Sequence, residues 1–201
     1  MQPIENPNAR KVGLEIEFVV EREKDTVDLR NSFGDLGLVD TVSRDSSIKP
    51  YGLELRTIPF LPGDFTIGLL KSVLTDMRHI GTTNSSCGLH IHVDFNRRYW
   101  QDYLGRERFG EQIKIAWLTE ANTNFKEYVG FLPFESRYSY AHPTFSSYRG
   151  DRYAAVNYQT IYNTLEIRMF NAHLSLRWIC RAIRCAIQIT DRIELALKKL
   201  A

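Results

Sequence analysis

The sequence predicts an α+β fold in a single domain over residues 1–201, built as a mainly antiparallel β-sheet with helices packed on one face. Three observations point there. Four segments alternate apolar and polar residues with a period of two, the mark of half-buried strands. Three others carry apolar residues at helical spacing. With 201 residues, 43% hydrophobic and 12% aromatic, the chain can bury one sizeable core, and it has no internal repeat, low-complexity tract or linker.

The first strand is Val12-Gly13-Leu14-Glu15-Ile16-Glu17-Phe18-Val19-Val20, with Val12, Leu14, Ile16, Phe18 and Val20 on one face and Glu15 and Glu17 on the other. The second, Gly52 to Pro59, sets Leu53 and Leu55 against Glu54 and Arg56, and Asp45 precedes it in a polar Ser/Arg/Asp turn. In Cys87 to Phe95, Leu89, Ile91, Val93 and Phe95 alternate with His90, His92 and Asp94. Thr164 to Phe170 repeats the pattern, Leu165, Ile167 and Met169 against Glu166 and Arg168. Helices are expected over Thr66 to Ile80 after Pro62-Gly63-Asp64, over Arg97 to Val129, and over Ser175 to Leu200 with a core stripe of Leu176, Ile179, Ile183, Ile187 and Ile193. Glu23 to Arg44 and Phe131 to Asp151 read as irregular, the latter rich in Pro, Ser, Tyr and Gly.

Charge and cysteine content narrow the function. Twenty-six Lys and Arg against 24 Asp and Glu leave a net +2, so no overall field steers the chain to nucleic acid, although Arg97, Arg98, Arg106 and Arg108 could form a local basic surface. Three cysteines, Cys87, Cys180 and Cys185, fit neither a disulfide framework nor zinc-ribbon spacing. Cys87 beside Gly88 reads as a small packing residue. No apolar run approaches bilayer length, and Met1 to Arg10 is not signal-like, so a cytoplasmic chain is expected.

The polar strand face carries the functional signal. An ordinary solvated face displays Thr, Lys or Ser, whereas this one displays Glu, His, Asp and Arg, which coordinate cations, move protons or clamp phosphates. Side chains two apart on a strand lie about 6.6 Å apart and strands about 4.8 Å apart, so Glu15, Glu17, Glu54, His90 and Glu166 converge if these strands adjoin. That many carboxylates repel one another unless a cation sits among them. Oxygen ligands favour Mg2+, and a His leans toward Mn2+. Arg56 and Arg168 are then placed to bind phosphate oxygens in a forked geometry. Arg56 and Asp94 serve equally well as structural ion-pair residues, and Arg152 and Asn157 as helix caps or loop hydrogen-bonders.

Taken together, Gly13 to Phe18, Asp45 with Gly52 to Leu55, Cys87 to Val93, Arg152 to Tyr158 and Thr164 to Arg168 resemble the ordered blocks of the amidoligase family, small relatives of the glutamine synthetase and glutamate-cysteine ligase group. The resemblance covers residues 12 to 171. It implies a glutamine-synthetase-like catalytic fold, in which a curved antiparallel sheet cradles ATP and two or three Mg2+ or Mn2+ ions. By position, Glu15, Glu17 and Glu54 would be metal ligands, His90 and Glu166 would hold a metal near the nucleotide phosphates, and Asp45 stands where such enzymes have a further acidic ligand. Arg168 would bind the transferring phosphoryl group, and Arg152 joins it in the catalytic set. His92 and Asn157, with Arg56, fall to nucleotide or substrate binding.

The implied activity is an ATP-dependent carboxylate-amine ligase, which makes an acyl phosphate from a small-molecule or peptide carboxylate and lets an amine displace the phosphate. Phe131 to Asp151 is the candidate lid. Self-association is a further expectation of the resemblance. Two rival readings share these residues: a metal-dependent phosphoesterase, and a catalytically silent metal and nucleotide binder.

Overall fold

The computed structural model describes residues 10–21, 33, 37–95, 112–117, 119, 142–147, 154–159 and 162–200. Its elements are β1 (Val12–Val20), β2 (Val39–Arg44), β3 (Gly52–Thr57), α1 (Asp64–Ile80), β4 (Gly81–Thr82), β5 (Gly88–Asp94), β6 (His142–Ser147), β7 (Ala154–Gln159), β8 (Thr164–Asn171) and α2 (Leu176–Leu200). Residues 112–117 are also helical. The fold is α+β, as the alternation predicts, with an open sheet in the order β2-β3-β1-β5-β8-β7-β6 and the two-residue β4 beside β1. Every pairing is antiparallel except β6 with β7.

The four strands legible in the sequence are neighbours. β3, β1, β5 and β8 lie side by side, and Val12, Leu14, Ile16, Phe18, Leu53, Leu55, Leu89, Ile91, Val93, Leu165, Ile167 and Met169 are all buried in one apolar cluster. Helix α2 packs against β5 and β8, and α1 adds Leu70, Val73, Leu74 and Met77 to the same cluster. Among the described residues, no helix is long and apolar enough to cross a membrane.

Local chemistry explains the joints. Gly63 starts α1, with Thr66 Oγ1 accepting from the Gly63 N–H at 3.0 Å, and Arg78 and His79 complement the helix dipole in its last turn. The β2–β3 turn closes through Asp45 N–H to Gly52 O at 3.0 Å. A side chain at Gly52 would meet Ile48 Cβ at 2.3 Å and Asp45 O at 2.5 Å, so this turn admits only glycine without rearrangement.

Several expectations need correction. The stretch expected to be irregular from Glu23 to Arg44 ends in strand β2, and part of the expected lid, His142–Ser147, is strand β6 running parallel to β7. The remainder of that lid lies outside the described residues, as do Arg152, Arg97, Arg98, Arg106 and Arg108, and most of the helix expected over Arg97 to Val129. Asn157 is neither a helix cap nor a loop residue but sits inside β7. On α2 the buried stripe is Ile179, Ala182, Ile183, Ala186, Ile189, Ile193 and Leu197, whereas Leu176 and Ile187 are only partly buried. Ala182, Ala186, Ile189 and Leu197 fill in the 3.6-residue period that the expected stripe left incomplete.

Candidate metal centre on the polar face of the sheet

Sheet register assembles the site. Glu15 is paired with Arg56 on one side and His90 on the other, and Glu17 lies opposite Glu54. His92 is opposite both Gly13 and Glu166, and Glu166 is opposite Asn157. The β5–β8 register shifts between Leu89 and Ile91, whose partners are Phe170 and Ile167, so Arg168 and Met169 share the space opposite His90. Such a bulge re-aims the side chains around it.

His90 stands at the centre and is only 3% exposed. Its Nδ1 is hydrogen-bonded to Glu15 Oε2 at 3.1 Å and lies 3.8 Å from Glu166 Oε1, while its Nε2 lies 3.5 Å from Glu17 Oε1. Glu15, His90 and Glu166 form one group whose ligand atoms all fall within 4.8 Å of one another, and Glu17, Glu54 and His90 form a second. A neutral imidazole has one N–H and one lone pair. In that form His90 would donate into one group and ligate in the other, which makes it the link between them.

The remaining contacts hold these ligands in place. The backbone N–H of Gly88 donates to Glu17 Oε2, leaving Oε1 turned to His90. Arg56 donates to Glu54 Oε1 through Nε and Nη2, each at 2.7 Å, and its Nε lies 3.3 Å from Glu15 Oε1. Arg168 Nη1 donates to Glu166 Oε1 at 2.8 Å, and Asn157 Nδ2 to Glu166 Oε2 at 3.4 Å. His92 Nδ1 meets Thr164 Oγ1 at 3.1 Å, and its Nε2 is 3.4 Å from Glu15 Oε1 but out of line for a hydrogen bond.

Electrostatics separates the carboxylates. Burial opposes ionisation of Glu15, but the hydrogen bond from His90 and the nearby imidazoles of His90 and His92, when protonated, outweigh it and hold the carboxyl below the usual carboxylate range. Glu54 goes the other way: burial and the nearby charge of Glu15 raise it, against the pull of Arg56 and His90. Arg56 is raised as well, since Glu15 and Glu54 outweigh its partial burial. Four carboxylates, those of Glu15, Glu17, Glu54 and Glu166, thus share one face with the two guanidinium groups of Arg56 and Arg168. With His90 and His92 neutral, the carboxylates outnumber the guanidinium groups, and a bound cation would offset the difference.

The donor set suits one. Carboxylate oxygens with a single imidazole nitrogen match a hard divalent ion such as Mg2+ or Mn2+. Among the described residues, Asn157 Oδ1, buried beside the cluster, has no hydrogen-bond partner, an acceptor left open to a ligand.

The predicted site residues Glu15, Glu17, Glu54, Arg56, His90, His92, Asn157, Glu166 and Arg168 all meet on this face. Asp45 does not join them: its Oδ1 accepts from Ser47 N–H at 2.8 Å and Ser47 Oγ at 2.6 Å inside the β2–β3 turn. Sequence reasoning missed Tyr162, whose ring meets His92 edge-on. It lies in the turn before β8, beyond Asn163 at φ 52°, so strand alternation gave no signal for it. No protein-family model matches the chain, and no curated protein or solved structure matches it significantly.

Proposed function

We propose that this protein is an ATP-dependent carboxylate-amine ligase that uses divalent metal ions held on the polar face of its sheet. One observation carries the reading: two His/carboxylate groups interlock through His90 on a single sheet face, with Arg56 and Arg168 at their margins. The resemblance of the Glu15, Glu54, His90 and Glu166 blocks to amidoligases supplies the reaction.

Glu15, Glu17, Glu54, His90 and Glu166 would hold the metal. Bound there, Mg2+ or Mn2+ would supply charge neutralisation for a triphosphate and polarise its terminal phosphoryl group. Arg168, about one quarter exposed and pinned by Glu166, presents its free guanidinium edge to the phosphoryl group as negative charge builds on it. Arg56 is pinned in the same way by Glu54 and orients the remaining phosphates. The substrate carboxylate attacks the γ-phosphorus and ADP leaves, giving an acyl phosphate. An amine then attacks the acyl carbon, and phosphate departs with the C–O bond broken.

The test begins with thermal shift in ATP, Mg2+ and Mn2+, singly and combined, on the wild type and Glu166→Gln. A joint shift that exceeds the separate ones and disappears in Glu166→Gln is expected, since a ligand that binds the native state raises its stability by mass action. ADP release that requires both a carboxylate and an amine then identifies the ligase. Phosphate release without an amine turns the reading to a phosphoesterase. Binding without turnover on any substrate panel turns it to a silent binder.

A further inference from the structure

Tyr162 is a large aromatic residue left 66% exposed at the edge of a site whose other members are polar and mostly buried. The ring is nevertheless held. Its contact with His92 is T-shaped, with centroids 6.2 Å apart and planes at 84°, and it lies within electrostatic reach of Arg56. The turn that carries it is fixed by Asn163, whose φ of 52° is in the left-handed region, and whose carbonyl accepts from Phe95 N–H at 3.1 Å. Asn is among the few residues that tolerate this conformation.

Beside this ring the sheet has a gap. Gly13 lies opposite His92 in the β1–β5 register and shares the polar face with Glu15 and Glu17. Among the described residues, a Cβ at this position would meet only His92 Cβ, at 3.8 Å, an ordinary contact, so crowding by them does not demand glycine here. The absent side chain leaves the strand bare on its polar face next to Glu15 and beside His92, the residue whose ring Tyr162 meets edge-on. An exposed aromatic ring and a bare stretch of strand around His92, next to a cluster suited to metal-bound phosphates, fit a ligand with a planar ring joined to a polyphosphate.

We propose that Tyr162 and the bare strand at Gly13 form the base-stacking subsite for the nucleotide whose phosphates are held at the His90 cluster. The inference rests on the nucleotide reading above and adds to it the residues that distinguish a nucleotide from a bare polyphosphate. Arg56, paired with both Glu15 and Glu54, flanks the cluster from β3. Stacking uses the π-face of the base, so the subsite accepts purines without selecting them by hydrogen bonds.

The experiment compares the affinity of ATP and of inorganic tripolyphosphate, each with Mg2+, by titration calorimetry on the wild type, Tyr162→Ala, Tyr162→Phe and Gly13→Val. The wild type is expected to prefer ATP. Tyr162→Ala weakens ATP about tenfold, toward the low end of what base stacking contributes, and moves tripolyphosphate far less. Tyr162→Phe retains the preference because the ring remains. Gly13→Val, a substitution that suits a strand, lowers ATP affinity by covering the bare strand. Equal effects of Tyr162→Ala on the two ligands, or a wild type that binds both equally, overturn the subsite and leave the metal-phosphate reading standing. A wild type that binds neither overturns both.

Discussion

Glu54 shows most clearly how the site strains against the fold that carries it. Burial and the charge of Glu15 raise its carboxyl above the usual range, so folding takes up protons there as pH falls. The folded state is penalised once pH rises through the folded value, and the penalty vanishes where Glu54 is protonated in both states. Glu54→Gln removes the charge, keeps an oxygen for Arg56 and can turn an amide N–H toward Glu17. The metal-free variant is therefore expected to melt higher than the wild type at pH 7, on a scale of about 2–4 °C per kcal/mol for a chain of this size, and to lose that advantage in acid. Its melting temperature should respond less to Mg2+ or Mn2+ than that of the wild type, since the Glu15, His90 and Glu166 group remains. A variant less stable than the wild type at pH 7 would show that the Arg56 ion pair dominates. The chemistry of this face was legible in the sequence because period-two alternation fixes which residues share a side. Gly88 was not legible as a partner, since its contribution is a backbone N–H to Glu17. Neither was the satisfaction of Asp45 by Ser47, which depends on the shape of one turn.

At the scale of elements, strands with strong alternation could be read and weakly patterned ones could not. β1, β3, β5 and β8 each present a run of apolar residues to the core. β2, Val39-Asp40-Thr41-Val42-Ser43-Arg44, buries only Val42 fully, as befits an edge strand, and its polar composition resembles a loop. β7 places Ala155, Val156, Asn157 and Tyr158 all in buried surroundings, so its pattern lacks the alternation that marks a one-sided strand. Helix α2 was visible and Ile179, Ile183 and Ile193 of its expected stripe are buried, but Leu176 and Ile187 lie at the margin and Ala182, Ala186, Ile189 and Leu197 were passed over. The corrected face has a direct consequence. Ile189, fully buried, lies on the stripe with Ala186 and Ile193, whereas Ile187 lies at its margin. Ile189→Ala is expected to destabilise by about 2–5 kcal/mol and Ile187→Ala by about 1 kcal/mol, measured by urea unfolding. Equal losses would contradict the facing given to α2.

For the molecule as a whole, the candidate centre sits in the middle of the sheet rather than on a peripheral loop. Its ligands come from β1, β3, β5 and β8, which are consecutive in the strand order although separated by up to about 150 residues in the chain. Arg10, just before β1, ties this centre to the other end of the chain: it bonds Asp94 O at 2.9 Å at the end of β5, and Asp191 and Glu194 on α2 at 2.7 and 2.9 Å. A cation that relieves repulsion among Glu15, Glu17, Glu54 and Glu166 should therefore act on the central strands together. At a concentration 100 times its dissociation constant, a ligand specific for the native state adds about 2.7 kcal/mol to stability. Hydrogen exchange with and without saturating Mn2+ should show added protection across β1, β3, β5 and β8, much less at the exposed C-terminal turn of α2, and none in His90→Ala. Because β1 is shared by β3 and β5, its amides should gain as much as those of its neighbours. Protection confined to Glu17 and Glu54 and their nearest amides would mean that an ion occupies only the Glu17, Glu54 and His90 group, with Glu15 and Glu166 left to Arg56 and Arg168.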